Sequence, residues 1–264
     1  MSDGKRVPAP RGIGVRAAEI AAGQRAVARP RDAATVVLLR PGVEVLMLAR
    51  ARAMDFAPGA HVFPGGSVDP DDADVPWSGP APQGLGVPPE RAQALACAAI
   101  RETYEESGVL LAGSAVADLA ALAQDRRALL AGEVSFGEVL TRRGLVLHAG
   151  LLKPWTRWIT PEVSDRRFDT WFFAAVMPDG QVADASAESD SIAWLRPCDA
   201  LDGARAGRLT LLPPTAVTLA EIGSHADVPA VLAARREIVP LMPSVFMADG
   251  QAWLTMPAGT VYPL

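Results

Sequence analysis

Arg101-Glu102-Thr103-Tyr104-Glu105-Glu106-Ser107-Gly108 is the stretch on which the reading of this chain turns. It places three carboxylates in the last turn of a predicted helix, just before a stop glycine. Glu102, Glu105 and Glu106 are spaced i, i+3, i+4 and share one helix face. Like charges at that spacing repel by roughly 0.2–0.5 kcal/mol per pair. Acidic groups at a helix C-terminus also oppose the macrodipole, which favours cations there. A turn that breaks both preferences needs a compensating partner. The simplest one is a divalent metal ion.

The helix itself is well signalled. Pro89 suits the first helical position, and Glu90 follows in the first turn, where negative charge is favourable. No Gly or Pro interrupts residues 90–107, and Gly108 suits the left-handed position after the last turn. At about 100° per residue, Gln93, Cys97, Ile100 and Tyr104 form one mostly apolar stripe, with the glutamates nearly opposite. The expectation is a helix that docks one face on a core and presents oxygen ligands on the other. A solvated acidic face is the bland alternative, and for a bare E-x-x-E-E it is the favoured one; the rest of the chain lowers it.

With 264 residues, 50% of them hydrophobic and 21% charged, the chain has the composition of a soluble globular protein able to bury a full core. Its net charge of −5 argues against a dedicated nucleic-acid or anionic-membrane surface. A small phosphate substrate remains compatible with that charge, because a local metal or arginine cluster offsets the global sign. Cys97 lies on the apolar stripe and reads as a buried thiol, which suits a reducing compartment. No run approaches the roughly 18 apolar residues of a membrane span. The N-terminus lacks an apolar signal region, and the last residues match no retention or peroxisomal signal. The expected location is the cytoplasm, with no nucleic-acid or membrane partner.

Along the chain, residues 1–32 read as an arm with a short helix over 15–22. Residues 34–40 and 43–50 read as a β-hairpin around Pro41-Gly42. A loop over 56–66 contains His61-Val62-Phe63-Pro64-Gly65-Gly66. Six prolines and three glycines between 70 and 89 predict an irregular excursion over 69–89. Helices are predicted over 115–131, 136–143, 198–206, 214–222 and 228–236. Strands are predicted over 155–160, 168–176 and 191–195, with a further one around 253–256. Strands and helices mix without βαβ regularity, which gives an α+β class or an α/β/α sandwich.

Three segments combine: Gly65-Gly66 ending a strand, Arg101-Glu102-x-x-Glu105-Glu106-x-Gly108-Val109, and the acidic Glu188-Ser-Asp190 before Trp194. Here the chain resembles the Nudix hydrolase superfamily, whose signature reads G-x5-E-x7-R-E-U-x-E-E-x-G-U, U being bulky and aliphatic. The second half matches, with Thr103 at the first aliphatic position. The first half departs. If Gly66 is the first glycine, Arg101 lies 35 residues later where the signature needs 14. The early glutamate falls at Gln93 when counted back from Arg101, or at Asp72 when counted on from Gly66; Glu90 is a third candidate. The loop over 56–66, the Pro-rich insertion and Arg166-Arg167-Phe168-Asp169-Thr170 look like the Nudix-19-type branch, whose members include coenzyme A and acyl-CoA diphosphatases. Arg50, Ala51, Gly59 and Phe63-Pro64-Gly65-Gly66 also stand in register with the coenzyme A-type pattern, but Asp55 stands where that pattern has a second arginine. The proline- and tryptophan-rich array of the NADH-type branch is absent after Val109.

The resemblance implies an α/β/α sandwich with a mixed β-sheet over 33–200, after the arm of 1–32 and before a C-terminal helical extension over 201–264. It implies Mg2+ or Mn2+ as cofactor, with Glu102, Glu105 and Glu106 as ligands and the Gly66 carbonyl as a further one. These hard oxygen donors suit such ions independently of the resemblance. Arg101 orients Glu105 from i, i+4. Arg101, Glu105 and Glu188 are the catalytic candidates, Glu188 (or Asp190) as a general base from outside the signature. Arg50, His61, Gly65, Gly66 and Arg167 are the substrate-binding candidates, along with Arg52 and Arg166; for each arginine, a solvated or ion-paired role is the favoured alternative. His148 and His225 read as surface or packing residues, and Trp155, Trp158 and Trp171 as core. The expected substrate is a small nucleoside diphosphate linked to another moiety. Coenzyme A or an acyl-CoA comes first, and NAD(H) or ADP-ribose next. The helices after 197 are candidates for a homodimer contact or a substrate lid. The rival readings are a non-catalytic nucleotide sensor on the same fold, motivated by the missing early glutamate, and a protein-binding acidic helix.

Overall fold

The computed structural model describes residues 6–9, 12–53, 57–113, 118–186, 189–248 and 251–264. The arm contributes β1 (Arg6–Pro8) and α1 (Ile13–Ala21), and β2 (Arg31–Arg40) then opens the main sheet. β3 (Glu44–Arg50) returns antiparallel through the Pro41-Gly42 turn, pairing Leu39 with Val45 and Arg40 with Glu44. β4 (Ala60–Val62) pairs with β3, and β5 (Gly65–Ser67) folds back onto β2, setting Gly66 opposite Ala34 and Gly65 opposite Thr35. That contact leaves no room for a side chain at Gly65: a Cβ there would lie 2.5 Å from the Ala34 carbonyl oxygen.

The 69–89 segment is less irregular than its proline content predicts. Pro70–Ala73 forms a 3-10 turn with a capping box between Asp69 and Asp72, and β6 (Trp77–Ser78) follows. Next come α2 (Pro89–Ser107), α3 (Leu119–Leu130), α4 (Phe136–Arg143) and β7 (Leu147–His148), which pairs with β6. α2 begins at Pro89 and stops at Gly108, whose φ of 72° is the left-handed value the sequence predicts. The amphipathic expectation needs correction. From Leu95 to Arg101 every residue is buried, because the sheet covers one side of α2 while Val75, Leu85 and residues of α3 and α4 cover the other.

β8 (Lys153–Ile159), β9 (Phe168–Val176) and β10 (Ser189–Leu195) complete the sheet's centre. β9 runs parallel to β2 over nine residue pairs, from Arg31 opposite Phe168 to Leu39 opposite Val176. Alternate residues of this pair face opposite layers. Val36, Leu38, Trp171 and Phe173 pack with α2. Val37, Leu39, Phe172 and Ala174 pack on the other side with residues of α5 (Pro197–Arg205) and α6 (Pro213–Ile222). The molecule is thus the expected α+β sandwich around a mixed sheet. With β11 (Thr210–Leu211) before α6, and α7 (Val228–Ala233) and β12 (Pro240–Leu241) after it, the main sheet reads β11-β4-β3-β2-β9-β8-β12, with β10 beside β3 and β5 beside β2.

The region expected to be a C-terminal helical extension is helical only as far as Ala233. Residues 234–239 form no helix, and β13 (Ser244–Ala248) and β14 (Gln251–Thr255) pair antiparallel. β14 also pairs with β1, so the arm is tied into a three-stranded sheet. Among the described residues, no helix is long and apolar enough to cross a membrane.

Candidate active site

The site is built around Arg101, which is buried at the C-terminal half of α2 with 6% exposure. Its Nε and Nη2 donate to the two carboxylate oxygens of Asp72 at 2.9 and 3.0 Å, and Nη2 also donates to the Ser67 carbonyl. Nη1 donates to Glu102 at 2.8 Å and more loosely to Glu105 at 3.4 Å. Arg101 therefore orients Glu105 less than the helix spacing suggests, and holds Asp72 and Glu102 more. Burial alone would lower its pKa, but Asp72, Glu102 and Glu105 outweigh this and raise it, so the guanidinium stays charged.

Of the three candidates for the early acid, Asp72 is the one the structure brings to Arg101. It is buried, it sits at the uninterrupted spacing from Gly66, and it makes the bidentate pair with Arg101. Glu90 is exposed at the far end of α2. With Asp72 in that place, the insertion falls after the early acid. The capping box Asp69-x-x-Asp72 beside Pro70 was the signal in the sequence that could have found it.

The glycine loop closes onto the same helix end. Glu106, 8% exposed, accepts a hydrogen bond from the Gly65 N–H at 2.9 Å. A Cβ at Gly66 would meet the carboxylate of Glu102, so a side chain there would displace that carboxylate from its place. Burial pushes the Glu102 carboxyl up to about 7, reinforced by Glu105 and opposed by Arg101. Burial raises Glu105 as well. The backbone carbonyls at the helix end are also answered. Arg126 donates to the Glu105 carbonyl, and the N–H groups of Asp184 and Ser186 donate to the carbonyls of Ser107 and Glu106. Part of the electrostatic conflict in this turn is therefore relieved by Arg101 and Arg126.

Asp69, Asp72, Glu102, Glu105 and Glu106 nonetheless outnumber the one buried guanidinium among them. This all-carboxylate set has the charge and the hard oxygen donors that Mg2+ or Mn2+ takes. The side chains as placed are turned to Arg101 and Gly65, and among the described residues no three acidic, His or Cys side chains converge as a ready ligand group.

The other candidates separate. Arg50, at the end of β3, and Gly65 line a cavity of about 260 Å3 on the opposite side of the sheet from α2, with Phe63, Trp158, Phe172 and Leu254 among its walls. Arg167 does not line it. Its guanidinium donates to the carbonyls of Thr160 and Ala28 and to the Met242 sulfur, which corrects its assignment to substrate. His61 lies in β4 between Ala49 and Leu211, and its Nδ1 is buried without a hydrogen-bond partner among the described residues. Burial lowers its pKa, which favours the neutral ring. Glu188 and Asp55 lie outside the described residues, and Asp190 is exposed. His225 packs edge-on against Trp155, and Trp155, Trp158 and Trp171 are buried as expected. The cavity was not legible in the sequence, because its walls come from segments as far apart as Thr35 and Leu254.

Comparison with known proteins adds an independent line. The NUDT19 Nudix domain matches residues 80–222. A Caenorhabditis elegans protein, putative nudix hydrolase 7, is 30% identical over 199 residues, covering 75% of this chain and 62% of its own length. The Xenopus laevis protein called acyl-coenzyme A diphosphatase NUDT19 is 27% identical over 233 residues, covering 70% of this chain and 61% of that protein. The chain thus spans about three-fifths of the length of these relatives. The crystal structure of a NUDIX hydrolase from Alicyclobacillus acidocaldarius superposes with a TM-score of 0.69 at 33% identity, covering 79% of this chain and 98% of that one.

Two measurements test this geometry. Asp72→Ala leaves the buried Arg101 without its bidentate partner and should cost about 3–5 kcal/mol of stability in urea unfolding; a loss below about 1 kcal/mol contradicts the buried pair. The Glu102 carboxyl, raised from 4.5 to about 7, favours the fold in its neutral form. Its contribution is fully present below pH 4.5 and is lost as pH rises through about 7. Metal-free protein should therefore lose more stability between pH 5 and 7.5 than Glu102→Gln does, and equal losses would contradict the raised pKa.

Proposed function

The chain belongs to the Nudix hydrolase family, in its NUDT19 branch, and from that premise we propose that it is a metal-dependent pyrophosphohydrolase acting on a nucleoside diphosphate linked to another moiety. The observation that carries the proposal is the acidic end of α2, fixed by Arg101 and Asp72 and closed by Gly65-Gly66. Glu102, Glu105, Glu106 and the Gly66 carbonyl would hold Mg2+ or Mn2+. Such an ion supplies charge neutralisation at the phosphoryl oxygens and a lowered pKa for water. The chain's own residues do the rest. Gly65 and Gly66 let the main chain approach the diphosphate closely. Arg101 fixes Glu102 and Glu105. Glu105, at the same helix end, is a candidate to accept a proton from water.

Coenzyme A or an acyl-CoA is the leading substrate class. Water would add across the diphosphate to leave 3′,5′-ADP and (acyl-)phosphopantetheine. Two things support it: relatives named acyl-coenzyme A diphosphatase, and Arg50, in register with the coenzyme A-type pattern, on the wall of the cavity beside Gly65. NAD(H) and ADP-ribose present the same diphosphate and rank next. The sensor reading rests on a missing early acid, and the buried pair of Asp72 with Arg101 supports Asp72 in that place.

Purified protein with Mg2+ or Mn2+ should convert coenzyme A to two monophosphates, one carrying oxygen from heavy-oxygen water. Glu105→Gln and Glu106→Gln should each lower kcat by a hundredfold or more with the thermal midpoint nearly kept. Absence of any metal-dependent product from coenzyme A, acyl-CoA, NAD(H) and ADP-ribose sinks the proposal. Tight nucleotide binding without turnover supports the sensor instead.

A further inference from the structure

The last turn of α2 carries Glu105 and Glu106, and a last turn is where a helix frays. Its final four carbonyls have no partner within the helix. Here each one is answered. The Gly108 N–H donates to the Tyr104 carbonyl at 2.8 Å. Arg126 of α3 donates from Nε to the Glu105 carbonyl at 3.0 Å. The Ser186 N–H donates to the Glu106 carbonyl at 3.1 Å, and the Asp184 N–H to the Ser107 carbonyl at 2.8 Å.

The donors for Glu105, Glu106 and Ser107 come from two segments distant in sequence, and Arg126 joins those segments. Its Nη2 donates to the Asp184 carbonyl at 3.1 Å. One side chain thus grips both the helix end and the strap of residues 181–186. The strap is neither helix nor strand, so no ladder of its own holds it in place. A further fastening is Gln181, whose side-chain amide accepts from the Leu110 N–H at 2.8 Å and donates to the Leu110 carbonyl at 2.9 Å. The Arg126 side chain is 11% exposed, whereas the Asp184 carboxylate, 4.0 Å away, is 86% exposed. The guanidinium is therefore held chiefly by carbonyls, at the negative end of the α2 dipole.

We infer that Arg126 is a positioning residue for the metal centre: it clamps the 181–186 strap to the end of α2 and so fixes the backbone from which Glu105 and Glu106 reach the ion. The inference rests on the metal-dependent reading above and extends it to a residue outside the acidic turn. Charge and position predict opposite effects. A cation near a carboxylate cluster opposes the binding of a divalent ion, so a role through charge alone means that removing Arg126 tightens the site. A role through position means that removing it loosens the turn and weakens the site.

The test compares the wild-type chain with Arg126→Ala at a temperature well below both thermal midpoints. Three quantities are read: amide hydrogen exchange at Asp184 and Ser186 without metal, the Mn2+ dissociation constant from electron paramagnetic resonance, and kcat and KM for coenzyme A. In the variant both amides should exchange faster. Mn2+ should bind about tenfold more weakly or worse, and kcat at saturating Mn2+ should fall by a similar factor, the usual loss when a group that orients metal ligands is removed. KM for coenzyme A should be nearly unchanged. Unchanged exchange overturns the clamp. Faster exchange with Mn2+ affinity and kcat both kept makes Arg126 a structural fastening only and overturns the inference. Tighter Mn2+ binding assigns the role to charge and overturns it too. Weaker Mn2+ binding in the variant, with no turnover by either protein, supports the inference and sinks the hydrolase reading. A wild type that binds no Mn2+ overturns both. Should Arg126→Ala not fold, Arg126→Lys, which keeps the charge but lacks the fork that grips two carbonyls, decides on the same readouts.

Discussion

The buried ion pair between Arg101 and Asp72 is the constraint on which the rest of the site depends. It fastens the end of α2 to the 3-10 turn that follows Gly65-Gly66. A bidentate arginine–carboxylate pair is directional as well as attractive, so it sets where the helix end meets the glycine loop. Two further contacts act only because that meeting is fixed: Glu106 on the Gly65 N–H, and the Glu102 carboxylate over Gly66. Burying such a pair has a desolvation cost, and a hydrophobic substitute of similar volume is often as stable. What the pair contributes here is position.

The same helix is fastened at its other end by a second arginine. Arg91, near the start of α2, makes a bidentate contact with Asp32 of β2 at 2.7 and 2.6 Å. Its guanidinium lies 4.9 Å from the ring centre of Trp171. Arg157, bidentate to Asp169, lies 4.2 Å from the same ring. α2 is thus held at one end to β2 and at the other to the 3-10 turn, and its middle is buried. A cluster of carboxylates that repel one another stays in place because the helix beneath them has little freedom to move. This is the preorganisation that charge-stabilising catalysis requires.

Much of the fold was legible in the sequence, for local reasons. The strand Phe168–Val176 and the helix Phe136–Arg143 were read to the residue because β-branched and aromatic runs, a serine cap and a following glycine act over a few positions. The acidic turn and its glycine loop were legible because their spacing is chemical. What escaped was decided by partners distant in sequence. Arg167 looked like a substrate contact until its guanidinium met the carbonyls of Ala28 and Thr160. The strands at 244–255 have their edge answered by β1, almost the whole chain away. Gln93, Glu90 and Asp72 could not be ranked as the early acid by counting alone, since only the position of the insertion distinguishes them.

The proposed activity requires a divalent metal at the acidic end of α2. Electron paramagnetic resonance of Mn2+ titrated into the purified chain tests it most directly, because bound Mn2+ loses the sharp signal of the free ion. Stoichiometric loss of that signal is expected in the wild type, and its retention in a chain carrying Glu105→Gln and Glu106→Gln together, with both proteins folded. Undiminished Mn2+ binding in that variant, or none in the wild type at pH 8, would contradict it.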